Sequence, residues 1–338
     1  MNSRPKVINI SCYFDYAHER QRMAEIGADF ICSKARTVGE VIDACRDAMV
    51  VLVEDNTILL DATVFDALPH CRAIVQYGIG VDHVDIAAAT RCGIVVCHAA
   101  DFCIEEVSDH AVALLLAGAR QILAMDRRIR AGGWFDFERT GPLRRIASLT
   151  LGLVGWGRIA RAVARKMSGF RMRVLATDPY VGALGVEPGV ELVPAERLWR
   201  EADLISIHVP LTRETRGLVG EAALRAMKPT ALIVNTSRGP VIDQDSLVRA
   251  LRERWIGGAA LDVLSEEPMP ASSPLRTLSN VILPPHYAGQ SEESMAHLHK
   301  TVADSVEAIL GGHWPPFPVN PSVRPRFPLT PAEKFRGA

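Results

Sequence analysis

Short apolar, β-branched runs alternate along almost the whole chain with stretches in which apolar residues recur every three or four positions. That alternation predicts an α/β protein, with parallel strands covered by helices. In the first hundred residues the strand candidates are Val7–Ile10, Asp29–Cys32, Met49–Val53, Ala73–Val75 and Ile94–Val96. Helical stretches such as Val38–Cys45 and Ile86–Arg91 lie between them. From Glu105 to Ala131 a proline-free helical pattern puts Val107, Ala111, Leu114, Leu115 and Ile122 on one face, long enough for a spine between two domains. A second alternating series runs from Leu151 to Leu283, and a last helix, Glu292–Leu310, has Ser291 as its cap and Gly311-Gly312 as its stop. Prolines then crowd the stretch between Trp314 and Pro331, so the tail is expected to be extended or loosely docked.

At 338 residues the chain exceeds what one hydrophobic core organises, which favours two domains. With 48% hydrophobic and 23% charged residues it has the balance of a globular protein rather than a disordered one. The net charge of −1 offers no basic excess for nucleic acid or an anionic membrane, so neither is expected as a partner. The start, Met1 to Lys6, is polar and leads into the short run Val7–Ile10, without the pattern of a secretory signal or membrane span. Seven cysteines (Cys12, Cys32, Cys45, Cys71, Cys92, Cys97 and Cys103), odd in number, read as reduced thiols and a cytoplasmic location. Cys92, Cys97, His98 and Cys103 lack the paired spacing of a zinc knuckle, so no metal is expected.

The strongest local signal is Thr150-Leu151-Gly152-Leu153-Val154-Gly155-Trp156-Gly157-Arg158-Ile159-Ala160, a strand entering a glycine turn and then a helix. Gly155 permits the tight turn and Gly157 lets the backbone approach a pyrophosphate. Ala160 stands where a third small residue lets helix close on strand. The strand Arg173–Thr177 ends in Asp178, placed to accept from ribose hydroxyls and to repel an extra phosphate, so the sequence predicts NAD rather than NADP. Three later strands end in loops rich in chemistry. Ala231–Asn235 leads into Thr236-Ser237-Arg238-Gly239, Gly258–Leu261 into Asp262 to Pro268, and Val281–Leu283 into Pro284 to Gly289. In an open parallel sheet such ends meet at the ligand crevice. A histidine there serves as acid or base, a carboxylate orients it, and an arginine binds a substrate carboxylate and polarises the carbonyl beside it. Every histidine but His286 is read as structural, with His208, at the end of Ile207-His208-Val209-Pro210, expected to line the cofactor cleft.

As an ordered set these segments resemble the D-isomer-specific 2-hydroxyacid dehydrogenases, a family that includes phosphoglycerate dehydrogenases, glyoxylate and hydroxypyruvate reductases, and the C-terminal-binding corepressors. The likeness runs from Val75-Gln76-Tyr77-Gly78-Ile79-Gly80-Val81-Asp82 to Val319-Asn320-Pro321. It implies that Arg238 binds substrate, that His286 is the acid/base, and that Glu267, directly before Pro268, is its partner rather than Glu266. Asp262 would hold the nicotinamide carboxamide, Arg158 and Ile159 would offer amides to the pyrophosphate, and Thr236, Ser237, Arg238, His286 and Gly289 would complete the NAD site. Backbone amides around Ile79 and Gly80 would receive the substrate carboxylate. The resemblance further implies a Rossmann-type doubly wound cofactor domain (104–290) and a flavodoxin-like substrate domain (1–103 and 291–321). A proline-rich tail (322–338) and a homodimer formed through the cofactor domains complete the expectation.

The implied activity is NAD-dependent hydride transfer between nicotinamide and a small 2-hydroxy or 2-oxo acid. The rival is an NAD(H)-sensing dimeric scaffold like the corepressors, disfavoured by the absence of a long low-complexity extension. Where phosphoglycerate dehydrogenases carry arginines for a phosphate, this chain reads Glu54-Asp55-Asn56-Thr57, which predicts an unphosphorylated substrate.

Overall fold

The computed structural model describes residues 4–54, 58–134, 143–182 and 187–331. The chain divides into two compact units, one of Met1–Phe102 with Ser291–Ala338 and one of Cys103–Gln290. In the first unit β1 (Lys6–Asn9), β2 (Asp29–Cys32), β3 (Val50–Val53), β4 (Ala73–Gln76) and β5 (Val95–His98) form a parallel sheet in the order β2-β1-β3-β4-β5. That is the flavodoxin-like order. Period-two alternation sends successive strand residues to opposite faces. Ile8, Val51, Ile74 and Val96 pack with Val41 and Cys45 of α2 (Val38–Cys45), Phe65 of α3 (Ala62–Asp66) and Ala88 of α4 (Ile86–Arg91). On the other face Val7, Leu52, Val75 and Val95 meet Met23 of α1 (Ala17–Glu25) and Leu298, Val302 and Val306 of the helix Glu292–Leu310. That last helix carries a capping box, in which the Ser294 amide donates to Ser291 Oγ and the Ser294 hydroxyl accepts from the Ser291 amide.

In the second unit β6 (Thr150–Val154), β7 (Arg173–Thr177), β8 (Val190–Leu192), β9 (Leu204–Ile207), β10 (Leu232–Asn235), β11 (Gly258–Leu261) and β12 (Val281–Ile282) form a second parallel sheet. Its order, β12-β11-β10-β9-β6-β7-β8, reverses direction between β6 and β9, which is the doubly wound Rossmann arrangement with its ligand crevice at that switch. The face formed by Leu151, Leu153, Val234 and Ala260 packs on Ala111, Leu114 and Leu115 of α5 (Ile104–Ala119).

One expectation is corrected. The long helix from Glu105 is broken, because α5 stops at Ala119, Gln121 takes a left-handed φ of 52°, and α6 (Ile122–Arg130) starts afresh. The apolar stripe that packs on the sheet ends near Gly118, where a Cβ would lie 2.3 Å from Leu232 Cδ2. Ile122 keeps the helical spacing but is exposed, while Ala111, Leu114 and Leu115 of α5 cover the cofactor sheet. The chain after the last helix docks on the first unit. Val319 donates to the Val96 carbonyl, and Asn320 bonds Thr90, Ile94 and Val96, which covers the free edge of β5. Arg326 bonds the Cys92, Leu68 and Phe65 carbonyls, and Phe327 stacks under Arg72. The chain crosses into the second unit one residue earlier than expected, at Cys103. Among the described residues no helix is long and apolar enough to cross a membrane.

Asp203 ties the amino ends of three strands in the second sheet. Its side chain accepts from the Thr150 amide (2.9 Å), Arg144 (2.7 Å) and Lys228 (2.9 Å), and its carbonyl accepts from Leu232. Burial raises its pKa, yet the Thr150 amide and the two cations outweigh that and hold it below the usual carboxylate range. A depressed folded pKa stabilises the fold above the ordinary range and loses its effect as pH falls through the folded value. Asp203→Ala is therefore expected to cost about 2 kcal/mol at neutral pH and lower the melting temperature by several degrees. The gap from wild type should narrow on acidification, as thermal melts across pH would report. A gap that stays constant with pH would contradict the ionic account.

Candidate active site

Strand β6 runs directly into the glycine turn. Gly155 has a φ of 90°, and a Cβ there would lie 2.9 Å from the His208 carbonyl oxygen and from Val209 Cγ1, so conformation and close approach both require glycine. Its amide donates to the Thr177 carbonyl (2.8 Å) and the His208 amide to the Val154 carbonyl (2.8 Å), which fixes the turn to its neighbours on both sides. Gly157 begins α7 (Arg158–Met167) without a side-chain cap, and nothing lies within 4 Å of where its Cβ would stand. The first amides of a helix lack intrahelical acceptors, and those of Arg158 and Ile159 stand at its positive end. Ala160 is buried in the sheet-facing core, as a small residue at that position requires. Gly152 lets the helix Ala195–Glu201 close on β6, since a Cβ would lie 2.8 Å from Ala202 Cβ.

Asp178 follows β7, with one carboxylate oxygen accepting from the Trp156 amide (2.8 Å) and the other from the Tyr180 amide (2.9 Å). The acid and the glycine turn are thus one hydrogen-bonded unit. His208 Nε2 and Thr236 Oγ1 are buried without hydrogen-bond partners among the described residues, and burial pushes the His208 imidazole down to about 4, so it is neutral at physiological pH. Open space at Gly157, uncapped amides, an oriented acid and two unsatisfied polar atoms at strand ends fit a dinucleotide.

The three loops after β10, β11 and β12 converge. Buried Asn235 orders the first, accepting from the Ser237 amide (3.0 Å) and hydroxyl (2.9 Å) and donating to the Arg238 carbonyl (2.9 Å). Arg238 Nη1 donates to the Ser237 carbonyl (2.8 Å). At the next position a Cβ on Gly239 would lie 1.9 Å from the Leu264 carbonyl carbon and 2.4 Å from the Ser265 nitrogen, so this loop touches the one after β11 backbone to backbone. The second loop delivers Glu267, whose Oε2 meets His286 Nδ1 at 2.6 Å while Oε1 accepts from the Leu264 amide at 2.6 Å. Burial alone would raise the Glu267 pKa, but His286, the Leu264 amide and the Arg238 charge together hold it down. The acid beside the histidine is therefore Glu267 and not Glu266.

His286 has a left-handed φ of 55°, an unfavourable conformation that a side chain adopts where its surroundings impose it. Those surroundings centre on buried Asp262, whose carbonyl accepts from the His286 amide (2.8 Å) and whose carboxylate accepts from the Tyr287 (3.2 Å) and Ala288 (3.1 Å) amides. Gly289 lies in the turn closed by the Gln290 amide on the Tyr287 carbonyl. His110 of α5 approaches Asp262 at 3.5 Å and meets the Tyr287 ring edge-on at 5.1 Å. Burial raises the Asp262 pKa, but His110 and the two amides hold it low. Sequence reasoning assigned Asp262 to the cofactor alone and left His110 as structural. Its place one residue before Ala111 on the buried stripe was the available signal.

In the first unit Ile79 and Gly80 follow β4 in the turn before Val81. Glu54, expected to face the substrate, is committed inside its own unit. It accepts from Asn9 Nδ2 (2.5 Å), the Tyr13 amide (2.8 Å) and the Tyr16 hydroxyl, while Asp55, Asn56 and Thr57 lie outside the described residues.

Residues 112–288 match the family model described as D-isomer specific 2-hydroxyacid dehydrogenase, NAD binding domain. Similar curated proteins include a glyoxylate reductase of Korarchaeum cryptofilum, 44% identical over 82% of this chain and 83% of its own length. A glyoxylate reductase of Thermofilum pendens is 40% identical over 84% of each. Among solved structures, a D-lactate dehydrogenase from Aquifex aeolicus complexed with NAD and lactic acid superimposes with a TM-score of 0.82 at 25% identity, covering 91% of this chain and 96% of that one. With a glycine turn and acid built for a dinucleotide, and a histidine–glutamate pair beside an arginine at the same strand ends, the chain belongs to the D-isomer-specific 2-hydroxyacid dehydrogenase family and is an NAD-dependent oxidoreductase acting on CH–OH groups.

Proposed function

We propose that the protein reduces glyoxylate or a similarly small, unphosphorylated 2-oxo acid, with Arg238, Glu267 and His286 as its catalytic residues. The observation that carries this reading is the 2.6 Å contact of His286 Nδ1 with Glu267, in a loop whose backbone touches that of Arg238. Glu267 occupies the Nδ1 side of the imidazole and orients it, which leaves Nε2 to give a proton to the carbonyl oxygen. Arg238 pairs with the substrate carboxylate through its donor fork and draws charge toward the reacting oxygen. The Ile79 and Gly80 amides are assigned to the same carboxylate. NAD(H), when bound, supplies or accepts the hydride, and the residues that would hold it are Gly155, Gly157, Arg158, Ile159, Asp178, His208, Thr236, Ser237, Asp262 and Gly289.

Two further readings belong here. Ile122, Leu123 and Ile129 leave α6 with exposed apolar side chains, which supports a homodimer formed through the cofactor units. Seven free thiols, with Cys45, Cys71 and Cys97 pushed up to about 12 mainly by burial and hence inert, suit a cytoplasmic location. The scaffold reading is not favoured, because the similar curated proteins reported above are named as reductases.

His286→Asn is expected to lower kcat by about a hundredfold to ten-thousandfold with NADH affinity nearly unchanged. In Glu267→Gln the imidazole loses the carboxylate that orients it, so kcat should fall by about tenfold or more with NADH affinity nearly unchanged. Wild-type turnover in either variant would remove the assignment.

The substrate is tested by following NADH oxidation with glyoxylate, hydroxypyruvate, longer 2-oxo acids and phosphohydroxypyruvate. The highest kcat/KM is expected for a small unphosphorylated acid. Preference for the phosphorylated compound would overturn that reading, and no turnover with any of them would return the scaffold.

A further inference from the structure

The turn after β4 carries Gly78, Ile79 and Gly80, and its carbonyls are held from one side. The Gly78 carbonyl accepts from the Ala99 amide at 3.1 Å, and the Ile79 carbonyl meets His98 Nδ1 at 2.7 Å. A carbonyl oxygen only accepts, so Nδ1 carries the proton. Both donors belong to the end of β5, whose backbone is fixed by β4 on one flank and by the tail on the other, where Cys97 bridges to Pro318 and the His98 amide donates to the Phe317 carbonyl. The imidazole is thus mounted on a strand held from both sides.

In a trans peptide the N–H points opposite to the C=O of the same plane. The Gly78 carbonyl shares its plane with the Ile79 amide, and the Ile79 carbonyl shares its plane with the Gly80 amide. Fixing both carbonyls toward β5 therefore turns both amides the other way. Neither amide has an acceptor among the described residues. Gly78, at a φ of 143°, supplies the backbone conformation that begins the turn. Adjacent amides presented together form a concave anion site.

We propose that His98 is a positioning residue for the substrate: by holding the Ile79 carbonyl, it fixes the Ile79 and Gly80 amides in the orientation that receives the substrate carboxylate. This rests on the reading that those two amides bind the carboxylate. Nothing in the chain's pattern hints at this role, because His98 sits among cysteines at the end of an apolar strand and reads as a structural histidine.

The test uses two side chains of nearly equal size, of which one donates. With saturating NADH and varied glyoxylate, His98→Leu is expected to raise KM about tenfold, the worth of one hydrogen bond, with kcat within about twofold. His98→Asn, whose amide can donate to the same carbonyl, should stay within about threefold of wild type. An unchanged KM in His98→Leu, or an equal rise in both variants, overturns the proposal. Should His98→Leu fail to fold, His98→Ala carries the same expectation. The underlying reading is checked separately in wild-type protein labelled with [15N]isoleucine, where oxamate added with NADH should shift the Ile79 amide signal, identified by its loss in Ile79→Val. A shift together with an unchanged KM in the Leu variant defeats the role of His98 alone. No shift defeats the carboxylate reading and the proposal with it.

Discussion

The proposed active site depends on a place where two backbones touch. Gly239 follows the arginine on one strand-end loop, and Leu264 and Ser265 precede the glutamate on the next, with no room between them for a single methyl group. That contact puts a cation and a carboxylate, contributed by neighbouring strands, into one electrostatic unit, and the depressed Glu267 pKa carries the Arg238 charge among its causes. Parallel strands bring their carboxyl ends to the same edge of the sheet, but only to within the spacing of the strands. Closing the remaining gap requires a residue without a side chain.

Around that contact, buried polar groups hold the loops in place. Asn235 orders the arginine loop through three hydrogen bonds, and Asp262 orders the histidine loop through two backbone amides and its own carbonyl. The left-handed backbone of His286 is the conformational cost of aiming the imidazole, offset by the loop that Asp262 anchors. Asp178 does the same for the dinucleotide turn through the Trp156 amide. Each acid named from sequence as a ligand to something outside the protein is thus also a clamp inside it.

Much of this was legible in the chain. The order of strand, glycine turn, helix, strand and acid at 150–178 needs no structure to interpret, because each glycine or small residue answers a local steric demand. The strands Asp29–Cys32 and Gly258–Leu261 and the capped helix Glu292–Leu310 stand where their patterns predict. What misled was the helical spacing that carries Ile122 past the real stop at Ala119, since periodicity does not reveal whether an apolar face meets its own sheet or remains exposed. The docked tail was illegible for a related reason. Its hold comes from Asn320 and Arg326 reaching carbonyls far away in sequence, and no periodic pattern announces such bonds. His110 and His98 were passed over because a histidine's role is set by what stands across from it in space.

In the proposed mechanism the Gly239 contact assembles Arg238, Glu267 and His286 into one set. Gly239→Ala would place a methyl carbon 1.9 Å from the Leu264 carbonyl carbon, so the two loops must separate by more than about 1 Å, enough to cost about a hundredfold in a reaction that depends on alignment. The direct measurement is kcat/KM for glyoxylate in that variant, alongside its melting temperature and NADH affinity. A folded protein that still binds NADH and has lost at least about a hundredfold in kcat/KM is the predicted result. Wild-type kcat/KM in a folded Gly239→Ala protein would contradict it.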